Sequence, residues 1–356
     1  LIARLSNAAG RLAAAGRQYG ESPATVAARM TWFRLRWGVS LVEGLLTGLY
    51  DPRISPPRGR IQVGGRQFKR LLRQFNPSDD SVIDDKTIFA ARCAGYGLPI
   101  PRLYAVTAPP LGVTADGRAL HGADAWRRFF NEELPEEFVI KPAESWCGDL
   151  VEVYRREGAG FRSGEKTLSF DDLHRRLLID AVYDRAIIQE RLSNHPALAE
   201  FSPSPGLQTV RMVTVAKRTG EVEILYSHLK MITGKNVIDN FASGSTGNLV
   251  VEADPDLGAL GVAFGPGPER IGTTSHLTHP VTGRPIAGFK LPDWERVRAL
   301  ARSAALRFLP MRAIGWDIAL TPNGPVLIEG NTSWGPYCGK GFWFEPEQMS
   351  RLRGLL

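Results

Sequence analysis

The stretch GWDIALTPNGPVLIEGN, residues 315–331, is the most informative part of the chain. Two apolar segments enclose the tetrapeptide TPNG, and this pattern predicts a β-hairpin. Glu329 and Asn331 are two residues apart on the second strand, so their side chains leave the same face of the sheet. Asp317 lies on the first strand. Two carboxylates and one amide oxygen suit Mg²⁺, so we predict that these three side chains bind it.

An edge hairpin with polar residues facing solvent would explain the same residues. Two features favour the metal site: both strands are otherwise apolar, and Gly330 leaves room beside the carboxylate. A two-residue turn at Asn323-Gly324 would turn Asp317 away from the other ligands. We instead predict a three-residue turn, residues 322–324, which sets Asp317 opposite Glu329. Proline suits the first turn position, and glycine suits the left-handed position that follows.

The composition indicates a globular protein of two or three structural units, because 356 residues exceed one ordinary core. Apolar residues make up 43% and charged residues 23%, and no apolar run approaches the ~20 residues of a membrane-spanning helix. No secretory signal is visible. Cys93, Cys147 and Cys338 fit no disulfide or zinc framework. A reducing cytoplasm is therefore the expected location.

Positive charge is concentrated at the start of the chain. Residues 1–75 hold 13 Lys/Arg and 3 Asp/Glu, an excess of +10 in a chain of net charge +7. We expect this segment either to contact phosphates or an anionic membrane surface, or to form a solvated helical face. It lacks the basic stripe with interleaved aromatics that indicates nucleic-acid binding.

The periodicity predicts three parts: a helical basic region (1–80), a first α/β part (81–192) and a second β-rich part (193–356). Glycine-rich loops are predicted over 242–275. The predicted helices lie within 1–50, 68–75, 84–94, 170–183 and 292–309, with Asp85 and Asp293 among the expected caps. The predicted strands are 102–106, 138–142, 150–154, 186–192, 209–216, 222–232 and the two arms of the hairpin.

Two apolar strands end in polar residues. Lys141 ends FVIKP and can place its ammonium on a phosphate, although such a lysine is more often a surface residue. The loop AESWCGD, residues 143–149, follows it and is expected to cover phosphates. Gln189 and Glu190 end the strand AIIQERL, where they can bind an adenine edge, although an exposed glutamate at a strand end is common.

Two cations on successive strands precede a glycine-rich loop. Arg211 and Lys230 are suited to a phosphate or a substrate carboxylate. A solvated sheet face and a plain loop explain any one of these residues equally well. The loop residues concerned are Asp239, Asn240, Ser243, Gly244 and Gly247.

In their order, these pieces resemble the ATP-grasp superfamily. Five stretches resemble the sugar-transfer-associated ATP-grasp family, which is similar to ligases that add glutamate to carboxylates; the resemblance covers about residues 30–345. The stretches are QERLSNHPAL, TVRMVTV, DNFASGSTGN, HPVTGRPIAGF and the hairpin. The ordered residues are Lys86 in DDKTIF, Lys141, Glu190, Arg211, Asn240, Asp317 and the IEGN sequence.

The resemblance implies an α+β fold in which two subdomains grip ATP. It also implies that Lys86 and Lys141 contact the α- and β-phosphates, and that Gln189, Glu190 and the Leu192 backbone bind adenine. Arg211 and Lys230 would contact the γ-phosphate or acyl phosphate, and Asn240, Ser243 and Gly244 would contact the substrate. Asp317, Glu329 and Asn331 would bind Mg²⁺. One departure concerns the phosphate loop, where relatives have more glycine and this chain has Trp146 and Cys147.

The expected activity is ATP-dependent ligation of a carboxylate to an amine through an acyl phosphate, in polysaccharide, cell-surface or natural-product biosynthesis. Two alternatives remain. One is a phosphotransferase on the same fold, in which a hydroxyl takes the γ-phosphate. The other is a weakly catalytic nucleotide-binding module of a biosynthetic complex.

Overall fold

The computed structural model describes residues 2–53, 61–62, 66–77, 81–144, 150–180, 182–202, 204–335, 343–344 and 346–356. The chain divides into two compact units by contact. The first unit contains residues 1–80, 194–325 and 331–356, and the second contains residues 81–193 and 326–330.

The first unit is built on a seven-stranded sheet. Its elements are α1 (Ile2–Arg17), α2 (Pro23–Trp37), α3 (Leu41–Leu46), β1 (Ile61–Gln62), α4 (Arg66–Leu72), α9 (Pro196–Ala199), β10 (Thr209–Ala216), β11 (Val222–Met231), β12 (Leu249–Ala253), β13 (Leu260–Pro266), β14 (Thr273–His276), α10 (Trp294–Arg307), β15 (Ala313–Thr321), β16 (Gly324–Asn331), β17 (Trp343–Phe344) and α11 (Pro346–Gly354). The strand order is β14-β13-β12-β11-β10-β15-β16, and β1 pairs with β17 in a separate ribbon. By contact, residues 326–330 of β16 are counted with the second unit.

One face of this sheet is apolar and packs beneath α10. On that face Trp316 contacts Phe308 at 5.5 Å between ring centroids, and its Nε1 donates to Thr214 Oγ1 at 2.8 Å. Val297, Ala301 and Ala304 follow helical spacing on α10 and are all buried. Because side chains alternate along a strand, Asp317 emerges on the opposite face.

The second unit holds an eight-stranded sheet around an aromatic core. Its elements are α5 (Ser81–Asp84), α6 (Lys86–Gly95), β2 (Leu103–Ala108), β3 (Leu111–Thr114), β4 (Ala119–Leu120), α7 (Gly122–Arg128) with a π-helical extension, β5 (Glu137–Pro142), β6 (Glu152–Glu157), β7 (Gly160–Ser163), β8 (Lys166–Ser169), α8 (Phe170–Leu178) and β9 (Ala186–Glu190). The strand order is β4-β3-β2-β9-β5-β6-β7-β8. Trp126 stacks on Phe130 at 5.6 Å at the centre of the core.

The N-terminal helices belong to the first unit rather than forming a part of their own. Their buried residues share one apolar cluster with Ile271. Backbone bonds reinforce this packing, since Gly272 N donates to Leu45 O at 2.9 Å. Arg11 Nη2 also donates to the Arg270 carbonyl at 2.6 Å. The N-terminal helices of the basic region predicted over 1–80 are therefore held by residues about 230–260 positions later, which local periodicity does not reveal.

The hairpin turn lies at the predicted residues, and the residue-by-residue pairing of β15 with β16 across it stays a prediction. β15 ends at Thr321, and Gly324 has a φ of 113°, in the left-handed region that was predicted for it. However, β16 already begins at Gly324, so only Pro322 and Asn323 separate the strands. The Thr321 hydroxyl donates to the Gly324 carbonyl at 2.8 Å and accepts from Asn323 N.

Three other predictions differ from the structure in part. The region 242–275 is not only loop, because it contains β12, β13 and β14. Asp293 precedes α10 but its side chain makes no capping bond. Its Oδ2 accepts instead from Arg296 Nη1 at 3.2 Å. The helix predicted over 170–183 ends earlier, at Leu178.

Candidate functional site

A bidentate ion pair lies on the face of the seven-stranded sheet away from α10. β10 and β15 are antiparallel, and their register sets Arg211 directly opposite Asp317. Arg211 Nε donates to Asp317 Oδ1 at 2.5 Å, and Nη2 donates to Oδ2 at 3.0 Å. The two side chains are only 13% and 2% exposed. Charge-assisted, two-point bonds of this kind hold the guanidinium in one orientation.

A second cation shares the same carboxylate. Lys230 Nζ donates to Asp317 Oδ2 at 2.8 Å and lies 3.5 Å from Asp239 Oδ1. The other oxygen of Asp239 accepts from the Thr209 backbone N at 2.8 Å and from its hydroxyl at 2.5 Å. Burial raises the pKa of Asp239, although the charge of Lys230 opposes this shift. The sheet thus holds two cations between two carboxylates.

His228 lies on the same sheet face, beside Arg211, and was not among the site residues predicted from sequence. We call Arg211, His228, Lys230 and Asp317 the charged row. His228 is paired directly with Arg211 across β10 and β11 and is 1% exposed. Its ring stacks on Tyr226 at 6.1 Å. Burial, together with the charges of Arg211 and Lys230, lowers the pKa of His228 well below 6.5. Its position two residues before Lys230 on one strand was the sequence signal for a shared face.

Close packing covers the arginine of this row. A Cβ placed on Gly315 would lie 3.1 Å from both Arg211 Cδ and Trp334 Cβ. Glycine therefore lets the indole pack near the arginine stem. Tyr226 supports the same region, since its hydroxyl donates to the Gly335 carbonyl at 2.6 Å.

The loop predicted to bind substrate is held by its own hydrogen bonds. Asn240 Oδ1 accepts from Ala242 N at 2.9 Å, and the Asn240 carbonyl accepts from Thr246 Oγ1 at 2.7 Å. Ser243 has a φ of 51°, and its carbonyl accepts from Arg270 Nη2 at 3.2 Å. Gly244 also has a positive φ, of 80°. Substrate contacts by Asn240, Ser243 and Gly244 stay predictions.

In the second unit, Lys141 and Gln189 share one face of the sheet. Lys141 is paired with Ile187, and Gln189 with Val139, across β5 and β9. Lys141 is 5% exposed and Gln189 is 9% exposed. The intervening positions face the aromatic core, which includes Ile188.

Glu190 lies on the other face of β9, opposite Phe138. Its Oε2 accepts from Arg102 N at 3.0 Å, and its own backbone N donates to the Arg102 carbonyl at 2.8 Å. The side chains of Gln189 and Glu190 leave opposite faces of β9, and the prediction that this strand end offers a carboxylate and backbone groups to adenine is not tested by that. Leu192 lies beyond the end of β9. An adenine contact by Glu190 and Leu192 stays a prediction.

Lys86 starts α6 close to the end of β5. Its backbone N donates to the Ala143 carbonyl at 2.9 Å, which places it beside the residue two positions after Lys141. Asp85 caps the helix by accepting from Thr87 N and Ile88 N. The phosphate loop extends beyond the described residues at positions 145–149.

The predicted metal ligands provide oxygen donors that suit Mg²⁺. Asn331 Nδ2 donates to the Gly315 carbonyl at 3.4 Å, so the end of β16 lies beside β15. The carboxylate of Asp317 already binds two cations, and a metal ion would have to share it with Arg211 and Lys230. Within the described ranges, no group of three His, Cys, Asp or Glu side chains could hold a metal ion, and the predicted set, with two carboxylates and one amide, is not of that kind. The placement of Asp317 opposite Glu329 stays a prediction.

Over the part of the chain that the structure describes, no helix is both long enough and apolar enough to cross a bilayer.

Comparison with solved structures gives distant likenesses. N5-carboxyaminoimidazole ribonucleotide synthetase from Thermotoga maritima matches with a TM-score of 0.37 and 11% identity, over 71% of this chain and 42% of that one. L-amino acid ligase from Bacillus licheniformis gives 0.36 and 12%, over 71% and 41%. VanG D-Ala:D-Ser ligase from Enterococcus faecalis gives 0.40 and 13%, over 76% and 61%. The chain therefore spans about two-fifths to three-fifths of the lengths of these proteins.

Sequence comparison is more decisive. No curated protein matches the chain. The family described as sugar-transfer associated ATP-grasp matches residues 66–338, which include both sheets and every predicted site residue. The mixture of helices and antiparallel sheets is the α+β class that the resemblance implied. The chain belongs to the sugar-transfer associated ATP-grasp family.

Proposed function

We propose that this chain is an ATP-dependent carboxylate–amine ligase that forms an amide through an acyl phosphate. One observation carries the proposal: Arg211 and Lys230 converge on Asp317 on a buried sheet face within the segment that the family matches. We further propose that the product serves polysaccharide, cell-surface or natural-product biosynthesis.

The charge of this row suits phosphoryl transfer to a carboxylate. That reaction brings a negatively charged acid towards a negatively charged phosphate, so fixed cations lower its barrier. Asp317 holds both cations in place before any substrate arrives. The planar guanidinium of Arg211 matches the geometry of phosphate and carboxylate oxygens. His228 adds no positive charge at neutral pH, because its pKa is well below 6.5.

Each remaining residue receives the role that the family resemblance implies. Lys86 and Lys141 bind the α- and β-phosphates, and Gln189, Glu190 and the Leu192 backbone bind adenine. Asn240, Ser243 and Gly244 bind the substrate. Asp317, Glu329 and Asn331 hold Mg²⁺, which when bound neutralises phosphate charge.

The proposed chemistry needs no protein nucleophile. A substrate carboxylate oxygen attacks the γ-phosphorus, a P–O bond forms, and the bond to the bridging oxygen of ADP breaks. The amine nitrogen then attacks the acyl carbon, and inorganic phosphate leaves with one oxygen of the original acid. The amine loses a proton, and an amide results.

A nucleotide-binding module with little turnover is a second candidate. It is favoured by the saturation of Asp317, whose carboxylate already accepts bonds from Arg211 and Lys230. In such a module ATP binds, but the cations stay on Asp317 and no phosphoryl transfer follows.

The test uses a panel of acids and amines with ATP and Mg²⁺. We expect ADP release only when an acid and an amine are both present, and the amide should be visible by mass spectrometry. With ¹⁸O in the acid, one ¹⁸O atom should appear in inorganic phosphate. The Glu329→Gln variant should stay folded and lose turnover, because it removes one charged ligand of Mg²⁺.

Other outcomes distinguish the alternatives. ADP release with a hydroxyl compound alone, together with a phosphorylated product and no free phosphate, would identify a phosphotransferase. Nucleotide binding without turnover across the panel would identify the module. Undiminished turnover in the Glu329→Gln variant would contradict the metal assignment.

A further inference from the structure

Two loops of the first unit, 240–247 and 267–272, share an uncommon backbone conformation. Among the described residues, six other than glycine have a positive φ, and four of the six lie in these loops. The four are Ala242 and Ser243 at 44° and 51°, and Glu269 and Arg270 at 54° and 61°. Residues other than glycine keep this conformation only where surrounding contacts hold them, so both loops depend on their neighbours.

A hydrogen bond joins the two loops. The guanidinium of Arg270 donates from Nη2 to the carbonyl of Ser243 at 3.2 Å. Ser243 lies between Ala242 and Gly244, and all three residues have a positive φ. The bond therefore holds the backbone at the most constrained point of loop 240–247, which was predicted to bind substrate.

Helix α1 holds the other end of this connection. Arg11 Nη2 donates to the backbone carbonyl of Arg270 at 2.6 Å. Burial, and then the charge of Arg270, lowers the pKa of Arg11, so the fold keeps two cations together against their repulsion. Two hydrogen bonds thus lead from α1 through Arg270 to Ser243.

Helix α3 contacts loop 240–247 directly. Its last residue, Leu46, is buried in an apolar cluster whose other members are Phe241 and Val250. A Cβ built on Gly244 would lie 3.6 Å from Leu46 Cδ1 and 2.8 Å from Pro266 Cβ, so glycine lets the loop approach both side chains. The leucine therefore packs on the same constrained segment that Arg270 holds by a hydrogen bond.

Leu49 provides a contrast, three residues after α3. It is 0% exposed and belongs to the larger apolar cluster of the N-terminal helices, not to the cluster of Leu46. Both leucines precede residues 66–338, the segment that the family matches, whereas loop 240–247 lies inside that segment. Leu46 thus connects the N-terminal helices to a loop of the family-matched segment, and Leu49 packs among the helices.

We propose that α1 and α3 position loop 240–247 for the phosphoryl acceptor, with Arg270 and Leu46 as the positioning residues. The acceptor is the acid in the proposed ligase reaction, so the inference rests on that function. A loop that is held in its conformation beforehand loses less freedom when the acid binds, and the affinity for the acid rises. The residues proposed to bind adenine and the α- and β-phosphates belong to the second unit, so the affinity for ATP should not depend on these helices.

Amide hydrogen exchange on the full chain measures how firmly the loop is held. Gly244 N donates to the Phe241 carbonyl at 2.8 Å, and Ser245 N donates to the Ala242 carbonyl at 3.1 Å. Exchange of these two amides reports local opening of the loop. Two variants, Arg270→Met and Leu46→Ala, should each speed this exchange by about tenfold, because each removes a contact that opposes opening. Unchanged exchange in both variants would overturn the inference.

Steady-state kinetics measure the consequence for the acid. With the acid and amine that the ligase test identifies, the KM for the acid should rise about tenfold in Arg270→Met and Leu46→Ala, because the binding loop is no longer held in place. The KM for ATP should stay at the parent value. Arg270→Lys keeps a cationic donor and should recover part of the loss. Equal rises in both KM values would mean that the helices stabilise the whole unit without positioning the loop, and the inference would fail.

Leu49→Ala and Arg312→Met are the matched controls. The first removes a buried leucine from the cluster of the N-terminal helices. The second removes an arginine that also donates to a backbone carbonyl, that of Leu355 at 2.6 Å. Both controls should lower the unfolding midpoint and leave loop exchange and the KM for the acid at parent values. Changes in the controls as large as those in Arg270→Met and Leu46→Ala would contradict the inference.

The positioning inference and the ligase proposal can fail separately. If a hydroxyl compound is phosphorylated and no amide forms, the ligase proposal fails, and the KM for the hydroxyl compound takes the place of the KM for the acid. If no acceptor is turned over, the ligase proposal also fails, and amide exchange decides the inference. Faster loop exchange confined to Arg270→Met and Leu46→Ala would then support it, and equal exchange in variants and controls would overturn it.

Discussion

Asp317 in the first unit and Glu152 in the second are largely buried carboxylates that each bind an arginine, but their surroundings differ. Glu152 accepts from Arg176 Nη2 at 2.8 and 2.9 Å. It also accepts from the hydroxyls of Tyr154 at 3.0 Å and Tyr183 at 2.5 Å. Burial, and then Glu152 itself, raises the pKa of both phenols, so they remain protonated donors.

The two arrangements differ in the number of carboxylates that each cation contacts. Arg176 bonds to one carboxylate within a network that two neutral phenols complete. Lys230 contacts two carboxylates among the described residues, Asp317 at 2.8 Å and Asp239 at 3.5 Å. A closed network ties α8 to its sheet, whereas a cation with alternative acceptors can be redirected to an incoming anion. We therefore expect the first arrangement to serve stability, and we propose the second for chemistry.

The largest expected effect tests whether the Arg211–Asp317 arrangement serves turnover. Arg211→Met should lower kcat/KM for ATP-dependent turnover by about 10²–10³, because a preorganised charge at the transferring group is lost. Lys230 continues to neutralise Asp317. Steady-state ADP release measures the effect, and Arg211→Lys serves as the control that keeps the charge without the planar fork. A folded Arg211→Met protein with full turnover would remove Arg211 from the site.

A smaller effect tests whether the Arg176–Glu152 arrangement serves stability. Arg176→Met should lower the free energy of unfolding by about 1–3 kcal/mol, because Glu152 loses its only charged partner among the contacts described for it. Turnover per folded molecule should not change. Denaturant unfolding and an activity assay on the same sample measure the two quantities. If turnover falls while stability is kept, Glu152 belongs to the functional site and the comparison fails.

The smallest effect concerns pH. The pKa of His228 is depressed in the folded state, so between that value and about 6.5 only the unfolded chain binds its proton. His228 should therefore make the protein less stable as pH falls below about 6.5, by up to about 1.4 kcal/mol per pH unit. Unfolding titrations at several pH values should show this slope in the parent protein. A His228→Gln variant should lack it, and an unchanged slope would place the titration elsewhere.

Several structural elements followed directly from sequence. The strands FVIKP and TVRMVTVA, residues 138–142 and 209–216, occur as predicted because apolar, β-branched runs favour buried strands. The strands within 242–275 were missed. β12 exists because the edge of β11 offers backbone groups to pair, as where Lys230 faces Val250. That requirement comes from a distant part of the sheet rather than from the local pattern.

The residues of the charged row around Asp317 were mostly selected from sequence, but their contacts with one another were not. Arg211, Lys230 and Asp317 were each selected from sequence, and the structure brings their charged groups together. His228 was missed, because a single histidine within an apolar strand gives no signal of its partner. Gln189 and Glu190 were both selected at one strand end, and the structure adds that their side chains leave opposite faces.

The family, the hairpin with its left-handed glycine, and the residue types suited to binding phosphate all follow from the amino-acid sequence. Only the tertiary structure decided that Arg211 lies between His228 and Asp317, and that the N-terminal helices pack against Ile271. The physical reason is that alternation along one strand follows from covalent geometry, whereas the register between strands about 100 residues apart depends on packing of the whole sheet.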